Sequence, residues 1–139
     1  MVDDYEPDPT GKSLTRPQME YDVNEAGQRQ LIVVQSPTLD DVVSALDALD
    51  RASRTTLTLI DGSGAYLSVG GGDGLYHVYL GAFDHDDRVI LQSAGTGELE
   101  HDGHRYSAPD VVDRDTARAA LSEFHRTGRP DLGLAWRAG

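Results

Sequence analysis

The chain has 139 residues, 24 Asp and Glu against 12 Lys and Arg, a formal net charge of −12 and no cysteine. That length predicts one domain, and the missing cysteines exclude disulfides, thiolate zinc sites, cysteine nucleophiles and the usual zinc-deaminase ligand set. The acid excess argues against direct nucleic-acid binding, which needs Lys and Arg to displace phosphate counterions. No apolar run exceeds about five residues, far short of the ~18 to 20 that span a bilayer, and no signal-peptide stretch opens the chain, so a cytoplasmic location is expected.

Residues 1–30 hold seven acids, three bases and Pro7, Pro9 and Pro17, with few apolar side chains, and are expected to form a partly disordered arm. The compact domain, residues 31–139, is then expected to start at the β-branched run Leu31 to Val34, which ends at Ser36-Pro37. Thr38 can cap a helix whose apolar face is Leu39, Val42, Val43, Leu46 and Leu49. Asp41 completes a capping box with the shorter acid, while Arg51 and Arg54 stand where the C-terminal dipole favours cations. Asp40, Asp47 and Asp50 line the opposite face and are expected to be solvated.

Strand-like segments follow at Thr55 to Ile60, Ala65 to Val69, Leu75 to Leu80 and Arg88 to Gln92. They are punctuated by Asp61-Gly62-Ser63-Gly64, by Gly70 to Gly74 and by Asp84 to Asp87, the pattern of an antiparallel meander. The third run is apolar on both faces, as a central strand under helices would be. Asp113 can cap a second helix with the apolar face Ala117, Ala120, Leu121 and Phe124, closed by Gly128 and Pro130. Leu132 to Trp136 reads as a short final strand. Without a fixed repeat or strand-helix alternation, the order predicts an α+β fold: an antiparallel sheet of about four to six strands with two helices packed against it.

Chemistry-bearing motifs are few. Gly70-Gly71-Gly72-Asp73-Gly74 has no following Lys-Ser or Lys-Thr and leads into a strand, so it predicts a hairpin turn and not a phosphate loop. Gly62-Ser63-Gly64 lacks the spacing of a nucleophile elbow. Asp84-His85-Asp86-Asp87 fails the calcium-loop pattern at Arg88, and His101-Asp102-Gly103-His104 is expected to turn a hairpin before Tyr106. No catalytic residue, cofactor or metal site is therefore expected. A rival reading keeps a small ligand- or metal-binding module on His101, His104 and nearby carboxylates.

Between Asp84 and Asp102 lie six acids (Asp84, Asp86, Asp87, Glu98, Glu100, Asp102) against the single Arg88. Acids in turns repel edge-to-edge strand pairing, and acids on adjacent loops can complement a basic cleft; the sequence leaves both readings open. As a partner surface this segment joins Asp73 and two aromatic anchors, Tyr76 and Tyr79, whichever face away from the core. Trp136 is expected to pack inside.

The C-terminal residues Leu121, Glu123, Phe124, Thr127, Gly128, Arg129, Pro130, Leu134 and Trp136 resemble a pattern of the Imm-one family of bacterial polymorphic-toxin immunity proteins. Leu57-Thr58-Leu59, Tyr66-Leu67-Ser68-Val69-Gly70-Gly71 and Tyr76-His77-Val78 are similar to that family's central strands and glycine pair, so the resemblance covers about residues 38 to 137. His125 departs from it, standing where a second aromatic is common. The resemblance implies a non-enzymatic antitoxin, made beside a secreted toxin, that binds the toxin's catalytic domain; members occur next to nucleic-acid deaminase toxins. It transfers no catalytic residues. A deaminase or nuclease that grips nucleic acid needs a positive groove, and an acidic inhibitor would complement it.

Overall fold

The computed structural model describes residues 17–93, 97–101 and 103–139. Its elements in chain order are β1 (Gln18–Glu25), β2 (Gln28–Gln35), α1 (Leu39–Ala48), β3 (Thr56–Ile60), β4 (Ala65–Gly72), β5 (Leu75–Ala82), β6 (His85–Gln92), β7 (Leu99–His101), β8 (His104–Tyr106), α2 (Arg114–Thr127) and β9 (Ala135–Ala138). Seven strands form one antiparallel sheet in the order β2-β1-β3-β4-β5-β6-β9, and β7 and β8 form a separate hairpin. The α+β class holds, with a larger sheet than the sequence predicts.

The extra strand lies within the expected arm. Residues 18–30 are not loose: Met19 is buried in the core, and β1 sits between β2 and β3. Its signal is the alternation of Met19, Tyr21 and Val23 with Glu20, Asp22 and Asn24, the period of a half-buried strand, masked in composition by its acids. Residues 1–16 lie outside the described residues.

Both helices start as expected. Thr38 Oγ1 accepts from the Asp41 amide at 3.1 Å and the Asp41 carboxylate accepts from the Thr38 amide at 2.9 Å, closing the capping box. Asp113 accepts from the Thr116 amide at 2.8 Å, and Gly128 ends α2 at φ 72°. The expected cations at the end of α1 are placed differently. The helix stops at Ala48 with no base in its last turn, Arg51 pairs with Asp73 at 3.6 Å, and Arg54 lies over the Tyr21 ring. Asp40, Asp47 and Asp50 are exposed as expected, and two of them also hold partners. Asp47 binds Arg114 of α2 at 2.6 Å, and Asp50 takes the Ala52 and Arg54 amides and the Ser53 hydroxyl, which hold its carboxyl down at about 2.

Strand alternation sends one side of the sheet to the helices. Met19, Leu57, Leu59, Leu67, Val69, Tyr76, Val78 and Leu91 pack there against Val42, Leu46, Ala117, Leu121 and Phe124 in one core, with Trp136 half-buried against it. Burying these side chains, at ~1.5 to 3 kcal/mol for each large one, is the main stabilising term. The opposite side carries Thr56, Thr58, Ser68, Gly70, His77, Tyr79, Arg88 and Ile90, and among the described residues no α-helix covers it.

Candidate functional site: the uncovered sheet face

The β7–β8 hairpin folds over one end of the uncovered face. It can lie close because position 70 has no side chain: a Cβ there would run into the His101 imidazole. His101 Nε2 then hydrogen-bonds Thr56 Oγ1 at 3.2 Å. Tyr106 stacks on His77, with centroids 3.8 Å apart and planes 17° from parallel. His77 is 5% exposed and its Nδ1 lies 3.2 Å from the Asp110 carbonyl; that oxygen can only accept, so Nδ1 carries the proton. Burial pulls the His77 pKa below its ordinary 6.5, which keeps the ring neutral near pH 7.

Asp110 anchors the other side of this corner. It lies on the helical turn Ala108–Asp110 and takes two hydrogen bonds from Arg137 of β9, at 2.6 and 2.9 Å, and one from Gln92 of β6 at 3.0 Å. The Arg137 guanidinium holds the Asp110 carboxyl at about 2, well below the usual range.

From the hairpin an aromatic row crosses the face. His77 is followed by Tyr79 at 5.8 Å, then Tyr66 edge-on at 6.1 Å, then Phe83 at 4.9 Å. Phe83 closes the row at the β5–β6 turn, 69% exposed, and its amide donates to the Gly64 carbonyl, which ties this turn to the β3–β4 turn. The Arg88 guanidinium lies over the Tyr79 ring, 4.8 Å from its centre. Beneath the hairpin, Thr56, Ser68, His77, Tyr79, Arg88 and His104 enclose much of a cavity of about 310 Å³.

The expected partner residues fall into three groups. Tyr76 is corrected: it shares the Val69 and Val78 side of the sheet, is 3% exposed in the core and exchanges backbone hydrogen bonds with Val112, so only Tyr79 of the two anchors faces outward. The acids do not form one cluster. Asp84, Asp86 and Asp87 lie at the end where Ala65 pairs with Ala82, whereas Asp73, Glu98 and Glu100 lie at the Gly72–Leu75 end. Seven strand steps put the two ends roughly 23 Å apart. Between His85 and Val89 the β5–β6 register shifts, so Asp86 and Asp87 lie at an irregular step of the strand. Asp102 lies outside the described residues. Glu98 pairs loosely with Arg105 at 3.9 Å and Asp73 with Arg51, both exposed.

Sequence reasoning missed Phe83, Tyr66 and Arg88. The first two carry a signal, aromatics at a turn and on the polar phase of a strand. His101 and His104 do meet the sheet face, but among the described residues no group of three or more His, Asp or Glu is arranged to hold a metal. Nor is any helix among them long and apolar enough to cross a membrane.

Together these features define an α+β protein with one packed sheet face and a second face of aromatic and polar groups. The model of the family Immunity protein Imm1 matches residues 32–138, and the chain belongs to that family. It is a family of immunity proteins, which act by binding a toxin partner. No curated protein matches the chain.

Proposed function

We propose that this chain is the antitoxin of a secreted bacterial toxin, and that it seats its uncovered sheet face on the toxin's basic catalytic domain, a nucleic-acid-targeting deaminase or nuclease, in the cytoplasm. The observation that carries the reading is the placing of acids at both ends of the sheet, Asp84 and Asp86 at one and Asp73, Glu98 and Glu100 at the other, with the aromatic row of the uncovered face between them. Asp102 belongs by sequence to the second group, and Asp87 flanks the first. Separated acids at both rims with aromatics in the middle match the division of labour at tight interfaces. Rim charges speed encounter and impose salt dependence, while central aromatics set the lifetime. The net charge of −12 supports attraction to a cationic partner and repulsion of nucleic acid itself. Inhibition by binding requires no catalytic group of the chain's own.

Two charge-reversal variants test the reading against the toxin domain encoded beside the gene. One changes Asp84, Asp86 and Asp87 to Lys, and the other changes Asp73, Glu98 and Glu100 to Lys. Each is expected to lower the association rate at least tenfold at low salt and to flatten its salt dependence. If both variants bind with unchanged affinity and salt slope, the acidic rims are not at the interface.

A further inference from the structure

Arg88 has no carboxylate partner among the described residues of a chain with two acids for every base, and it lines a cavity. Among the described residues, Arg29, Arg51, Arg105, Arg114, Arg126 and Arg137 each have a carboxylate within 4 Å, whereas Arg54, Arg88, Arg118 and Arg129 do not; of these four, Arg88 lines the cavity under the β7–β8 hairpin and rests on the π face of Tyr79. That ring fixes the guanidinium at the wall of the cavity under the β7–β8 hairpin, where no described lining residue is Asp or Glu. The other polar groups on that wall are hydroxyls and imidazoles, among them Thr56, Ser68, Tyr79 and His104. Hydroxyls and an imidazole N–H can donate, and guanidinium only donates. A site with a fixed cation, several adaptable donors and no anion has the chemistry of an anion receptor.

We infer that this cavity is a receptor for a single carboxylate side chain of the toxin, held by Arg88 and the surrounding donors beneath the β7–β8 hairpin of an otherwise acid-rimmed interface. The inference rests on the immunity reading for its partner and on the cavity for its chemistry. A protein carboxylate fits better than nucleic acid, because a volume of about 310 Å³ admits one side chain and the −12 chain repels a polyphosphate backbone. The acid also gives the complex a register. Acidic rims alone would tolerate sliding on a basic groove, whereas one reversed charge pair under the hairpin penalises every other alignment.

The test has two arms. In the first, imidazole carbon–proton NMR follows the free protein titrated with glutarate at constant ionic strength, with His125, which hydrogen-bonds the Pro37 carbonyl elsewhere, as the internal reference. His104 is expected to shift saturably while His125 does not, and Arg88→Gln is expected to weaken the response at least fivefold, with Arg88→Lys partly restoring it. No saturable shift, or an equal response in Arg88→Gln, overturns the inference. In the second arm, Arg88→Gln is expected to weaken toxin binding at least tenfold and Arg88→Glu further. If the variants bind the toxin as wild type does, the carboxylate receptor falls and the immunity reading stands. If the wild-type protein binds no toxin, the immunity reading falls, and the glutarate arm still decides the chemistry of the cavity.

Discussion

His77 and Tyr106 stack face to face, centroids 3.8 Å apart, and through this contact the β7–β8 hairpin is joined to the sheet it covers. The stack shields His77, whose ring stays neutral with Nδ1–H directed at the Asp110 carbonyl. One aromatic pair thereby links the sheet, the hairpin and the turn that carries Asp110.

The lowered His77 pKa has a definite sign. The unfolded chain takes up the proton near 6.5 and the folded chain only at lower pH, so this contribution to stability is complete above 6.5 and declines as pH falls below it. Tyr106→Ala removes the shield. His77 is then expected to titrate closer to 6.5 by imidazole NMR, with faster amide exchange in β7 and β8 and little change in β3 to β5.

Asp110 tests the adjoining corner. Its pKa of about 2 lies below the ordinary 3.8, so its stabilising effect is present above 3.8 and is lost as pH falls through about 2. Asp110→Asn is expected to lower stability at pH 7 by about 1 kcal/mol, since the Arg137 side of the pair is well exposed and solvent screens it. The deficit relative to wild type, measured by thermal melts across pH, should shrink toward pH 2.

Asp22 is predicted to be the more costly carboxylate. Its side chain is 1% exposed, and burial alone would raise its pKa, but hydrogen bonds from the Thr55 amide and hydroxyl, the Thr56 amide and Asn24 outweigh that and lower it. These bonds fasten β1 to the start of β3. Asp22→Ala leaves several buried donors unsatisfied and is expected to cost about 2 to 4 kcal/mol in urea unfolding.

The two neighbouring tyrosines of β5 should separate stability from binding. Tyr76→Ala opens a core cavity and is expected to cost about 3 to 5 kcal/mol, whereas Tyr79→Ala should cost about 1 kcal/mol. Toxin affinity, measured where both variants are folded, is expected to fall roughly thirtyfold for Tyr79→Ala, by the usual weight of a central aromatic. Equal loss of affinity in both variants would place the toxin elsewhere.

Much of this architecture is legible along the chain because it is local. Thr38 with Asp41, Asp113 with Thr116 and Gly128 each mark a helix end by contacts within a few residues. The Asp73-Gly74 turn declares itself because both residues take positive φ, 55° and 87°, as a two-residue hairpin requires. β1 was less legible, since its acids hide the alternation of Met19, Tyr21 and Val23, and Asp22 becomes buriable only when Thr55 and Thr56, more than thirty positions away, supply its donors.

By itself, then, the sequence determined the helices, the meander, the lack of cysteine chemistry and the charge, all of which follow from nearest-neighbour geometry, side-chain period or simple counting. Only the tertiary structure decided which side of the sheet stays uncovered, that Tyr76 goes inside while Tyr79 looks out, and that the acids part to opposite ends of the sheet. The physical reason is that a strand has two faces and two ends. Composition cannot tell them apart, and which is buried depends on where distant helices and hairpins pack.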